Sequence, residues 1–144
     1  MALVSWSAIR NGDVIYCIAV TLINSYALES FMNIDELNEI GVQVAEWFQN
    51  ENFESIALEY GYALSFDRKP SDAVKEDFEL ACNEVQGDIK NSKASVSTKY
   101  FENNESSMLA LIECDFQLNY STGVLVELIM KVNGNVYLEQ ISSY

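Results

Sequence analysis

The chain is 144 residues long, 49% hydrophobic and carries a single proline, a size that buries a core unaided and a composition that excludes a disordered or low-complexity chain. Its charge is one-sided: 22 acids against 8 bases give −14, and residues 1–67 hold ten acids and one base, Arg10. Direct binding of nucleic-acid phosphates is therefore disfavoured, and a basic partner is the natural inference beside the plainer one that acidity keeps the protein soluble.

The apolar run at 14–23 follows Arg10 and precedes Ser25-Tyr26-Ala27, which has the outline of a signal-peptide core with a small-x-small cleavage site. Asp13 speaks against that outline, and the run is too short to cross a bilayer as a helix. Arg10-Asn11-Gly12-Asp13 reads instead as the turn of a β-hairpin joining residues 2–9 to 14–23. The hairpin, with a cytoplasmic localisation, is the reading adopted. A signal peptide over residues 1–27 would place the protein in the periplasm.

Asn33 and Glu36 form an N-cap and capping box, and Met32 with Leu37 fits a hydrophobic staple. Leu37, Ile40, Val44, Trp47 and Phe48 follow at helical spacing with Asp35, Glu39, Gln43 and Glu46 opposite, which predicts a helix ending near Asn50. A second helix is predicted from about Asn52, with Phe53, Ile56, Ala57, Tyr60 and Leu64 inward and Glu51, Glu54, Leu58 and Glu59 outward. The two helices would present their acids together. After the break at 65–70, Ser71 is expected to cap a third helix with the stripe Val74, Phe78, Ala81, Cys82 and Val85, stopped by Gly87.

Beyond Gly87 the period changes from 3.6 to 2. Residues 93–101 alternate moderately, and then Met108, Ala110, Ile112, Cys114, Phe116 and Leu118 alternate strictly with Leu109, Leu111, Glu113, Asp115 and Gln117. Residues 119–123 turn the chain into a last hairpin, where Val124, Val126, Leu128, Met130 and Val132 oppose Glu127 and Lys131. A two-residue Asn-Gly loop there would set Met130 against Tyr137 and Leu128 against Glu139. A three-residue loop with Asn135 left-handed pairs Val132 with Val136 and Met130 with Leu138, and is preferred because it keeps the apolar set together. Ile112, Cys114, Phe116, Val126, Leu128 and Met130 are the predicted core.

The expected fold is a single α+β domain over 1–144: an N-terminal β-hairpin, then three helices packed on a curved antiparallel sheet that ends in a C-terminal hairpin. Over residues 34–144 the order helix, helix, capped helix, glycine, meander, with Trp47-Phe48 ahead of Asn52-Phe53-Glu54, resembles the cone-shaped nuclear transport factor 2-like fold. The hairpin at 2–23 departs from the usual helical start of that fold. The resemblance implies a scaffold that hosts isomerases, dehydratases, transport adaptors and bacterial toxin-immunity proteins, and so selects no function by itself.

Histidine is absent, which removes the commonest general base near neutral pH, Ser-His and Cys-His nucleophilic pairs and the usual transition-metal ligand. Cys17, Cys82 and Cys114 are widely spaced, show no C-x-x-C and lie on apolar stripes, so they read as reduced packing residues. Phosphate-loop, H-E-x-x-H, EF-hand and nucleophile-elbow patterns are missing, and Asp35-Glu36 and Glu76-Asp77 read as solvated helix charges. No catalytic residue, metal or cofactor is called, and an enzyme is not expected.

The favoured reading is an acidic bacterial immunity protein, antitoxin-like, that binds and neutralises a basic toxin domain such as a nuclease or another cationic effector. The alternative is a small-molecule-binding or isomerase-like domain, for which the resemblance would place Tyr60 and Asp115 inside the cone. Asp115 is out of phase with Ile112, Cys114 and Phe116, which points it outward with Glu113, Glu127 and Glu139. A filled interior favours the first reading, and a pocket with convergent polar groups favours the second. Two acidic surfaces compete for the partner. The sheet face with Glu113, Asp115, Glu127, Tyr137 and Glu139 is preferred to the helical face with Asp35, Glu39, Glu46, Glu54 and Glu59, because strands hold charges in fixed relation.

Overall fold

The computed structural model describes residues 32–102 and 107–144, so the expected hairpin at 2–23, the alternative signal peptide and Cys17 lie outside the described residues. By internal contacts the chain divides into Met1–Met32 and Asn33–Tyr144. The second unit is α+β, with helices α1 (Ile34–Gln49), α2 (Phe53–Tyr60) and α3 (Pro70–Val85) followed by strands β1 (Ala94–Tyr100), β2 (Met108–Asn119), β3 (Thr122–Lys131) and β4 (Val136–Ser143). The strands form one antiparallel meander in sequence order.

Helix α1 starts where its capping box predicts. Asn33 Oδ1 accepts from the Glu36 amide at 2.9 Å and Glu36 Oε2 accepts from the Asn33 amide at 2.9 Å, which satisfies donors that the first turn would otherwise leave orphaned. Its inward residues are Leu37, Gly41, Val44, Ala45 and Phe48, while Ile40 and Trp47, expected in the core, are only half-buried. Gly41 lets the helix come down onto the sheet: a Cβ there would lie 2.9 Å from Ile112 Cγ2 and closer still to Val96 Cγ1. The Cys114 thiol donates to the Gly41 carbonyl at 3.2 Å across the same contact.

The other helix boundaries differ from the expectation in small, physical ways. Helix α2 starts where expected, with Asn52 as its N-cap, but stops at Tyr60, with Gly61 at φ +64, so Leu64 falls in the following loop and is exposed rather than buried. Helix α3 begins two residues early at Pro70, whose missing N–H costs nothing at a first helical position. Ser71, expected as its cap, is instead buried and donates to Glu54 Oε1 at 3.2 Å. The left-handed residue that ends α3 is Gln86 at φ +54, one position before the expected Gly87.

Helices α1 and α3 pack on one face of the sheet, which carries the predicted core. Ile112, Cys114, Phe116, Val126, Leu128 and Met130 are all fully buried. An aromatic cluster fills the space between the layers: Phe48 and Phe78 have ring centroids 4.7 Å apart, Phe78 and Phe116 5.8 Å, and Phe53 stands 6.1 Å from both Phe48 and Phe78. Cys114, fully buried, has its thiol pushed up to about 12 by desolvation, and Cys114 and Cys82 are both free.

The last hairpin has the expected loop length at a shifted position. Lys131 donates its amide to Asn135 O at 2.9 Å, enclosing Val132, Asn133 and Gly134, and Gly134 takes the left-handed conformation at φ +83 expected of Asn135. Met130 therefore pairs with Val136 and Leu128 with Leu138, in place of Val132 with Val136 and Met130 with Leu138. The displacement is two residues in register, so the side chains from Val136 to Leu138 keep their faces, and glycine occupies the one loop site that needs positive φ. Val132 sits in the loop and is exposed. A bulge between Leu138 and Gln140 leaves Glu139 as the unopposed residue of β4.

Candidate functional site

The meander sets the outer face of the sheet as rows across its strands. Ser97, Glu113, Glu127 and Gln140 form one row, and Ser95, Asp115, Leu125 and Ser142 the next. Glu113 and Glu127 are thus direct cross-strand neighbours of like charge, an arrangement that opposes folding unless a cation intervenes. Lys99 supplies it. Its Nζ lies 2.6 Å from Glu113 Oε2, which also accepts from Ser97 Oγ at 3.1 Å, and the Glu113 side chain is only 19% exposed.

Glu127 has no ion pair among the described residues. Partial burial, then the charges of Glu113 and Glu139, raise its carboxyl above the ordinary range, with Lys99 offsetting part of the effect. Asp115 accepts from the Tyr144 hydroxyl at 2.8 Å. Tyr144 is held over the sheet by paired backbone bonds with Gly123, at 3.1 and 3.0 Å, and its own hydroxyl is pushed up to about 12 by desolvation and by the bond to Asp115. Tyr137, half-buried, lies beneath Lys131 Nζ at 4.9 Å from the ring centre and accepts from Asn135 Nδ2 at 3.2 Å. Glu139, on the bulge, is exposed.

The structure brings Glu113, Asp115 and Glu127 together on this face. It also supplies partners that sequence reading did not name: Ser97, Lys99 and Tyr144. Lys99 and Ser97 alternate with the inward Val96 and Thr98, so their side of β1 was readable, but only the register places them against Glu113.

The helical acids do not form one cluster. Asp35, Glu39 and Glu46 lie with Val42 and Gln43 along a single depression on α1. Glu54 sits at the start of α2 in a different depression and is occupied, 2.6 Å from Lys69 Nζ and bonded to Ser71. Its carboxyl is lowered by those two bonds. Glu59 is exposed and lines neither depression. Elsewhere the described cations are largely consumed. Arg68 bridges Glu76 at 3.1 Å and Asp77 at 2.8 Å, and Lys75 and Lys90 meet Glu79 and Glu51.

Tyr60 and Asp115, the pair that an isomerase-like site would need, are not brought together. Tyr60 stands beside Trp47 of α1, with ring centroids 6.2 Å apart, and burial raises its hydroxyl above the ordinary range. Asp115 is on the outer face of the sheet with Tyr144. Among the described residues no group of three or more Cys, Asp or Glu is placed to hold a metal ion, and no helix is long and apolar enough to cross a membrane. Comparison with protein-family models, with curated proteins and with solved structures finds no match to this chain.

Proposed function

We propose that this protein is a binding protein of the bacterial immunity type, built on a nuclear transport factor 2-like scaffold, that neutralises a basic toxin domain in the cytoplasm. One observation carries the reading: Glu113, Asp115 and Glu127 share a rigid outer sheet face in a chain of net charge −14 whose described cations are mostly paired internally. Glu113 takes both its bonds at Oε2 and Asp115 takes its bond at Oδ1, so each carboxylate is oriented while its other oxygen has no donor among the described residues. Such an array gives up little freedom on meeting a cationic surface, and the net charge accelerates encounter. The aromatic cluster packed between the helices and the sheet supports binding through the surface rather than among those side chains.

The test uses the product of the adjacent gene, because immunity and toxin functions are encoded together. Wild-type protein should form a complex whose association rate falls with added salt. Asp115→Lys with Glu127→Lys should slow association at least tenfold at low salt, whereas Glu39→Lys with Glu46→Lys should do much less, with both variants checked for a single cooperative unfolding transition. Equal and negligible effects would mean that the acidity serves solubility alone.

A further inference from the structure

The loop between α2 and α3 holds an exposed aromatic side chain in a conformation that costs stability. Phe66 has φ +50, a left-handed backbone unfavourable for a bulky L-residue, and its side chain is 79% exposed, so packing does not compensate. The loop around it is nonetheless fixed. Arg68 closes a turn with its amide on Ser65 O at 3.0 Å, and its guanidinium holds Leu64 O at 2.9 Å together with both oxygens of Asp77 at 2.8 and 3.1 Å. Tyr62, buried beneath, donates to Asp77 Oδ2 at 2.7 Å, and Ala63 donates its amide to Leu138 O on β4 at 2.9 Å. Helix and sheet thus grip the loop on either side of Phe66 while leaving its ring in solvent.

We propose that Phe66 is a preformed apolar anchor that inserts into a pocket of a basic protein partner. The inference rests on the binding function proposed above and assigns it a second contact, distinct from the sheet carboxylates. A large aromatic on a loop already ordered in the free protein loses little freedom on binding, which is how a few residues come to dominate an interface. The kind of partner follows from charge. Arg68 and Lys69 beside the ring are neutralised by Asp77, Glu76 and Glu54, leaving the exposed Asp67 as the adjacent charge, so the matching pocket is apolar with a Lys or Arg at its rim.

The experiment compares wild-type protein with Phe66→Gly, Phe66→Tyr and Asp67→Lys, using the product of the adjacent gene as probe and zwitterionic phosphatidylcholine vesicles as a second probe. Phe66→Gly should melt at the same temperature or higher, because glycine accepts positive φ, yet dissociate from the partner at least tenfold faster. Phe66→Tyr should retain most of the residence time, and Asp67→Lys should slow association. A lower melting temperature for Phe66→Gly would make the ring structural and overturn the anchor. Unchanged dissociation of that variant, while the sheet-face reversal still slows association, would overturn the anchor and leave the binding function standing. Wild-type protein that forms no complex would remove both. Vesicle binding lost in Phe66→Gly would replace the protein pocket by a lipid surface.

Discussion

Replacing Gly41 by alanine sets two opposed effects against each other in one position. Alanine in a helix interior is favoured over glycine by about 1 kcal/mol. The added methyl, however, would stand 2.9 Å from Ile112 Cγ2 and closer still to Val96 Cγ1, well inside ordinary carbon contact. Overpacking of that kind costs about 1–3 kcal/mol. Ile112 is fully buried and cannot yield, while Val96 on the edge strand is only half-buried and can shift in part. The net loss expected is therefore about 1–2 kcal/mol, the clash outweighing the helical gain. Urea unfolding followed by far-ultraviolet circular dichroism measures it, and the companion variant Val96→Ala tests the cause. In the double variant the two side chains no longer compete, so Gly41→Ala should cost about 1 kcal/mol less in the Val96→Ala background, a coupling that a double-mutant cycle isolates. A Gly41→Ala variant more stable than wild type, or strictly additive effects, would refute the close approach of α1 to the sheet.

Phe116→Ala should cost about 3–5 kcal/mol, because its fully buried ring meets both Phe48 and Phe78. A loss below about 1 kcal/mol in denaturant melts would place the core on the other face of β2. Glu127 gives a pH signature. Its carboxyl is raised in the folded state, so the ionised form penalises folding at neutral pH, and the stability recovered on protonation is complete below the unfolded value of 4.5 and lost as pH rises through the raised one. Glu127→Gln should be more stable than wild type at pH 7, with the gap closing as pH falls toward 4.5; a gap independent of pH between about 4 and 7 would show that Glu127 bears no excess cost.

Local chemistry determined much of the fold. The Asn33–Glu36 capping box, the start of α2 near Asn52 and the alternation of β2 act within a few residues of the chain, and the structure carries them, the alternation from Ala110 to Phe116, whereas Leu118, expected inward, is exposed beside the irregularity that ends the strand. The core face of β2 and β3 was readable for the same reason, since a period of two assigns faces without knowing what packs against them. Where two local devices competed, the better chemistry won. Gly134 rather than Asn135 took the positive φ, and Pro70 rather than Ser71 opened α3 because Ser71 was drawn to Glu54.

What only the tertiary structure decided is which groups meet. Gly41 is one small residue in a helix until Val96 and Ile112 arrive beneath it. Glu113 and Asp115 read alike along β2, yet register gives one to Lys99 and Ser97 and the other to Tyr144, while Glu127, one strand away, is left with the electrostatic cost. Phe66 shows the limit most clearly. Its letters predict only a loop, because exposure, left-handed backbone and the grip of Arg68 all depend on α3 and β4 being in place on either side of it. Periodicity and capping are properties of neighbours in sequence, whereas clash, ion pairing and desolvation are properties of neighbours in space.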